Sequence, residues 1–185
     1  MTNDGVVLVT RAADFAARRH VDQRRKGDAR EPYINHLAEV AALLAEATDG
    51  ADAVLVAAGF LHDTLEDTPT EYEELQALFG DDVASLVAEV TDDKSLLKAE
   101  RKRLQVETAA KKSERARLIK IADKTSNLRA LAASPPADWD VRRVAEYIGW
   151  AEQVVERCRG LNVKLEHAFD TAVAEARAAI AMRAA

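Results

Sequence analysis

Apolar residues recur along this chain at spacings of three and four, the period of an amphipathic helix, and no segment reads as a convincing strand. The clearest stripe is Leu118, Ile121, Ala122, Leu128 and Leu131, which predicts a helix over about 114–133 that Ser134-Pro135-Pro136 ends. A first helix is expected over about 10–23, with Ala13, Phe15, Ala16 and Ala17 among its apolar positions, followed by the polar loop RRKGDAREP at 24–32. Asn35 stands where it can cap a second helix reaching Ala47, and Asp49-Gly50 breaks that helix. The stretch 52–67 opens on the apolar run 53–61 and reads as one buried helix. Thr70 and Glu73 have capping-box spacing for a short helix that Gly80 stops. Further helices are expected over about 82–90, from an Asp138 cap to Cys158, and beyond Gly160. The sum is an all-α chain of eight or nine helices.

Composition narrows this picture. A hydrophobic share of 48% over 185 residues suffices for a full core, and only seven Gly and four Pro agree with helices. No repeat, linker or low-complexity tract marks a boundary, so a single domain over 1–185 is expected. The formal charge of -6 gives no reason to expect a nucleic-acid partner. One cysteine, Cys158, excludes an internal disulfide and suits a reducing cytosol. The N-terminal apolar stretch is only Val6–Val9, too short for a signal-peptide core, and nothing approaches transmembrane length. A cytoplasmic protein without a membrane partner is the expectation.

The candidate chemistry lies where the buried run ends. His62-Asp63 is followed by Glu66-Asp67. In one continuous helix, at about 100° per residue, positions 62, 66, 63 and 67 point to about 0°, 40°, 100° and 140°, one shared face. So many acids beside a buried helix repel one another and resist desolvation unless a cation compensates them. His36, in PYINH, and Asp123, in LIKIAD on an otherwise apolar helix face, complete two imidazoles and two carboxylates. That mixed set suits a six-coordinate divalent ion such as Mn²⁺ with water in open positions, and not a closed structural zinc site. For Asp123 a second reading stays open, a hydrogen-bond acceptor between helices.

Four stretches together are far more specific than an isolated His-Asp dipeptide: RRKGDAREPYINH at 24–36, HDTLEDT at 62–68, EVTDDK at 89–94 and KIADKTSNLRAL at 120–131. They resemble the hydrolase domain of the RelA/SpoT family, and most of all its small stand-alone members of the metazoan SpoT-homologue kind. The resemblance spans about residues 12–168. It implies an HD fold and Mn²⁺-dependent removal of the 3′-pyrophosphate from guanosine tetra- or pentaphosphate, (p)ppGpp, leaving GDP or GTP and pyrophosphate. It also implies metal ligands at His36, His62, Asp63 and Asp123, and a water-activating acid pair at Glu66 and Asp67. Where such proteins often carry an aromatic and a leucine after the Asp-Lys pair, this chain has Thr125-Ser126. Ending at Ala185, it is expected to degrade the alarmone and not to make it. The alternatives are an HD phosphatase for another nucleotide, such as NADPH, and a non-catalytic alarmone binder, against which the intact Glu66 and Asp67 count.

A substrate carrying two diphosphates needs a local basic pocket on an acidic protein. Arg25 and Lys26 lie on the loop leading to His36, and the resemblance places them at the guanine base. Lys94, Lys98 and Lys102 share a helical face if their helix starts early enough; a solvated face is the other reading. Asn127, one turn after Asp123, is implied by the resemblance at the ribose or a phosphate. Tyr147 closes the nucleotide pocket or belongs to the core. The expected partner is this small molecule, with a homo-oligomer left open.

Overall fold

Two helices cross where a side chain would not fit. α2 (Ile34–Ala47) and α3 (Ala53–Leu61) approach at Gly59, where a Cβ would stand 2.7 Å from Leu44 Cδ1 and 3.3 Å from the Ala41 Cα. Glycine at this position lets the helices close until the rings of His36 and His62 are 5.2 Å apart. The computed structural model describes residues 3–184, and all its regular elements are helices; the sole extended pairing among the described residues is an isolated bridge between Arg24 and Pro32.

α1 (Asn3–Arg19) lies on α3, and after α3 a single turn, α4 (Thr64–Asp67), carries the chain away from the core. α5 (Tyr72–Phe79) and α6 (Asp81–Val90) pack on each other, α6 also covering α3. α7 (Lys98–Thr108), which buries no residue, and a 3₁₀ turn at Ala109–Lys111 lead into α8 (Glu114–Ala133). α8 is the central helix, flanked by α2, α9 (Val141–Glu156) and α10 (Val163–Ala184). Leu37, Leu44, Leu55, Leu61, Ile121, Leu128, Ile148 and Phe169 are fully enclosed between these helices. No helix among the described residues is long and apolar enough to cross a membrane.

α8 has the predicted bounds because both of its ends are local: the Ser113 hydroxyl accepts from Ala116 N at 3.2 Å, and two prolines follow Ser134. Elsewhere the ends differ. α1 begins seven residues earlier than expected, since Leu8 and Val9 extend its apolar stripe onto the core. Asn35 caps nothing, because α2 starts at Ile34 after Tyr33 with no side-chain cap. The Thr70–Glu73 box does not form: α5 starts after Glu71, and buried Thr70 shares a hydroxyl hydrogen bond with Thr68 at 2.8 Å. Asp140, not Asp138, caps α9 by accepting from Arg143 N at 2.7 Å.

The helix expected over 52–67 is interrupted. It starts as predicted, with Asp52 accepting from Leu55 N at 3.0 Å, but ends at Leu61. His62 then turns its Nδ1 back to the Gly59 carbonyl at 2.8 Å, and Asp63 leaves helical geometry at φ -98°, ψ 0°. The four chemical residues are therefore placed by a break between two helices and not by a continuous face.

Candidate metal centre

α2, the α3–α4 break and α8 each bring one part of a buried polar cluster. The potential ligand atoms of His36, His62 and Asp123 all lie within 4.8 Å of one another. His36 Nε2 is 3.4 Å from Asp123 Oδ1, and His62 Nε2 is 4.0 Å from the same oxygen. Asp63 stands beside this trio, its Oδ2 3.2 Å from His62 Nε2 and 3.7 Å from His36 Nε2. Tyr33 donates its hydroxyl to that same Oδ2 at 2.6 Å.

Each imidazole is anchored by its far nitrogen. His62 Nδ1 donates to the Gly59 carbonyl, and His36 Nδ1 meets Ser126 Oγ at 2.9 Å. Both Nε2 atoms thus face the carboxylates, and in the neutral rings with hydrogen on Nδ1 each would offer the lone pair that a metal ligand requires. His62 Nε2 is buried, is aimed into the cluster and makes no hydrogen bond, so it is a polar atom without a partner there. Two imidazoles with two mostly buried carboxylates beside them are a donor set that fits a divalent cation.

Charge tells the same story. Burial resists ionisation of Asp63 and Asp123, yet His62 beside the first and Lys124 beside the second hold both well below the usual carboxylate range. Burial drives His36 down, while for His62 it is outweighed by Asp63 and Asp123, which lift it to about 9. Without a cation, the cluster balances its anions by protonating one imidazole.

The acid pair sits at the rim. Glu66 accepts from Asp92 N and from Arg101 Nη1, each at 3.3 Å, and burial, then Asp63 and Asp92, raise its pKa. Asp67 accepts from Gln23 Nε2 at 2.9 Å and pairs with Lys94. Above the cluster opens a cavity of about 520 Å³ whose wall includes both acids and Arg25, Lys26, Lys98, Lys102, Asn127 and Tyr147.

The basic segment divides. α7 begins only at Lys98, so Lys94 lies outside it on Asp67, while Lys98, Arg101 and Lys102 face the cavity one turn apart. Arg103 points away, paired with Glu100 and Glu107. Burial, then neighbouring cations, lowers the pKa of Lys98 and Lys102. Lys102 Nζ lies 4.4 Å from the Trp150 ring centre, and Tyr147 stacks edge-on against that ring at 5.3 Å. Arg25 is fixed rather than free: its Nη2 donates to Asn127 Oδ1 at 3.0 Å and its Nη1 to Ser126 Oγ at 3.2 Å. Asn127 Nδ2 in turn donates to Asp123 Oδ1 at 2.6 Å.

Sequence reasoning missed Ser126, Tyr33 and Lys124. Ser126 was within its reach, since the i+4 argument that placed Asn127 with Asp123 also places i+3 on that face. Tyr33 and Lys124 carry no such local signal.

Residues 12–149 match the HD domain family. The chain is 48% identical to a Xenopus tropicalis protein named guanosine-3′,5′-bis(diphosphate) 3′-pyrophosphohydrolase MESH1, over 92% of this chain and 94% of that one. The human protein of the same name is 52% identical over 85% of this chain and 88% of its own. A solved structure of a metazoan orthologue of SpoT, described as hydrolysing ppGpp, superimposes with a TM-score of 0.87 at 45% identity, covering 91% of this chain and 94% of that chain. With the buried His-Asp cluster on its central helices, the chain belongs to the HD domain family, alongside the MESH1 proteins.

Proposed function

We propose that this protein hydrolyses the 3′-pyrophosphate of (p)ppGpp, adding water and releasing GDP or GTP with pyrophosphate. The observation that carries the reading is the convergence of His36 and His62 Nε2 on the carboxylates of Asp63 and Asp123, beside a cavity of about 520 Å³ whose wall also carries Arg25, Lys26, Lys98, Arg101 and Lys102. Names borne by relatives at 48% and 52% identity point to the same substrate.

His36, His62, Asp63 and Asp123 hold the metal, and Mn²⁺ is the ion their N/O chemistry suits. Such an ion supplies Lewis acidity and acidifies water. Glu66 and Asp67, at the rim, orient the attacking water and take up its proton; burial raises the pKa of Glu66, which makes it a stronger base than an ordinary carboxylate. Lys98 and Lys102 receive the phosphates, Arg25 and Lys26 border the base, Asn127 faces the ribose or a phosphate, and Tyr147 closes the aromatic side. The unpaired Cys158 supports a cytoplasmic, reducing setting.

The test is product analysis: metal-free protein, reloaded with Mn²⁺, is incubated separately with ppGpp, pppGpp and NADPH. Pyrophosphate and GDP from ppGpp are expected. Phosphate released from NADPH while ppGpp stays intact would overturn the substrate assignment.

A further inference from the structure

Ser126 is fully buried and stands at the meeting point of three side chains. Its Oγ donates to Glu39 Oε2 at 2.6 Å, lies 2.9 Å from His36 Nδ1, and accepts from Arg25 Nη1 at 3.2 Å. A carboxylate only accepts, so the single hydroxyl hydrogen is committed to Glu39. The oxygen then offers lone pairs to His36, which is satisfied only if Nδ1 carries the ring hydrogen. Arg129 Nη1, 3.0 Å from Glu39 Oε1, holds the carboxylate from the solvent side.

We propose that Ser126 and Glu39 are positioning residues for the ligand His36. Through Ser126, the Glu39 carboxylate selects the Nδ1–H form of His36 and fixes its ring, leaving the Nε2 lone pair for the cation. Without Glu39 the hydroxyl is free to donate to Nδ1, which puts the ring hydrogen on Nε2, where a ligand needs a lone pair. The inference rests on the metal reading above and not on the identity of the substrate.

The Mn²⁺ dissociation constant, measured by competition with a fluorescent chelator, tests it together with the unfolding midpoint of each metal-free variant. Ser126→Ala and Glu39→Met are each expected to weaken Mn²⁺ by roughly 10–100-fold. Glu39→Gln, which keeps an acceptor oxygen, should restore most of the affinity. The double variant Ser126→Ala/Glu39→Met should bind no more weakly than Ser126→Ala alone, because Glu39 acts through the hydroxyl. Arg129→Met, which removes only the outer ion pair, should stay within about twofold of the parent, as half-exposed pairs contribute little. Parent-like affinity in Ser126→Ala or Glu39→Met would overturn the relay, as would equal losses in Glu39→Met and Glu39→Gln. A parent protein that binds Mn²⁺ but leaves ppGpp intact refutes the substrate assignment alone, so the two failures are distinguishable.

Discussion

Arg25 and Asp123, on a surface loop and the central helix, are joined through one amide: Asn127 accepts from Arg25 at 3.0 Å and donates to Asp123 Oδ1 at 2.6 Å. The loop that borders the cavity is thereby tied to a metal ligand. Arg25→Ala is expected to raise KM for ppGpp and to lower kcat as well, because one charged hydrogen-bonding group of about 1.5–3 kcal/mol serves both binding and alignment. Lys26→Ala, which has no such tie, should raise KM alone. Steady-state kinetics of the two variants separates the cases; unchanged kcat in Arg25→Ala would detach the loop from the ligand.

Metal binding should be visible in stability. At a Mn²⁺ concentration of about 100 times its dissociation constant, the folded state gains roughly 2.7 kcal/mol. For a domain of this size that raises Tm by roughly 5–10 °C. His62→Ala should abolish both the shift and retained Mn²⁺ in elemental analysis. A full shift in that variant would remove His62 from the ligand set.

Glu66→Gln should keep Mn²⁺ and lose turnover by about 10²–10⁴-fold, the usual range for a positioned acid–base group. Its stability carries a pH signature. Burial and the Asp63 and Asp92 carboxylates hold the Glu66 pKa above its ordinary 4.5 in the folded state, so the ionised side chain destabilises the native fold. That destabilisation is complete above the raised folded value and vanishes as the pH falls below 4.5. The ion pair with Arg101 is mostly buried, with side chains 24% and 20% exposed, but the Gln amide oxygen keeps an acceptor for the Arg101 guanidinium, so the lost pairing offsets only part of this gain. Metal-free Glu66→Gln is therefore expected to be more stable than the parent at neutral pH, with the two curves converging in acid. Denaturant unfolding across pH checks this, and a neutral-pH loss of stability would contradict it.

Two glycines make separable predictions. At Gly59 an added Cβ meets Leu44 and Ala41 between packed helices, so Gly59→Ala should cost about 1–3 kcal/mol and weaken Mn²⁺ by spreading His36 from His62. At Gly27 the Cβ would fall 2.1 Å from the Ser134 carbonyl oxygen, forcing the Arg25–Lys26 loop off the end of α8. Gly27→Ala should then raise KM with little change in Tm or metal content. Thermal unfolding and Mn²⁺ titration of both variants distinguish the two.

The sequence by itself determined what is local. Period and capping chemistry placed α8 within its observed bounds, the apolar run before His62 marked a buried approach, and the N/O character of His36, His62, Asp63 and Asp123 pointed to a cation. Each of these depends on neighbours within a turn or on the chemistry of single side chains. What only the tertiary structure decided depends on contacts between distant segments. The break at His62–Asp63 sets His62 against Asp123 of α8 and Asp63 against His36 of α2, contacts that a propensity for continued helix could not foretell. Lys94 turns to Asp67 and away from the Lys98–Lys102 face because α7 starts four residues later. The His36–Ser126 and Arg25–Asn127 bonds join residues about 90 and 102 positions apart, and a hydrogen bond of that range exists only once α2, the loop and α8 have packed together.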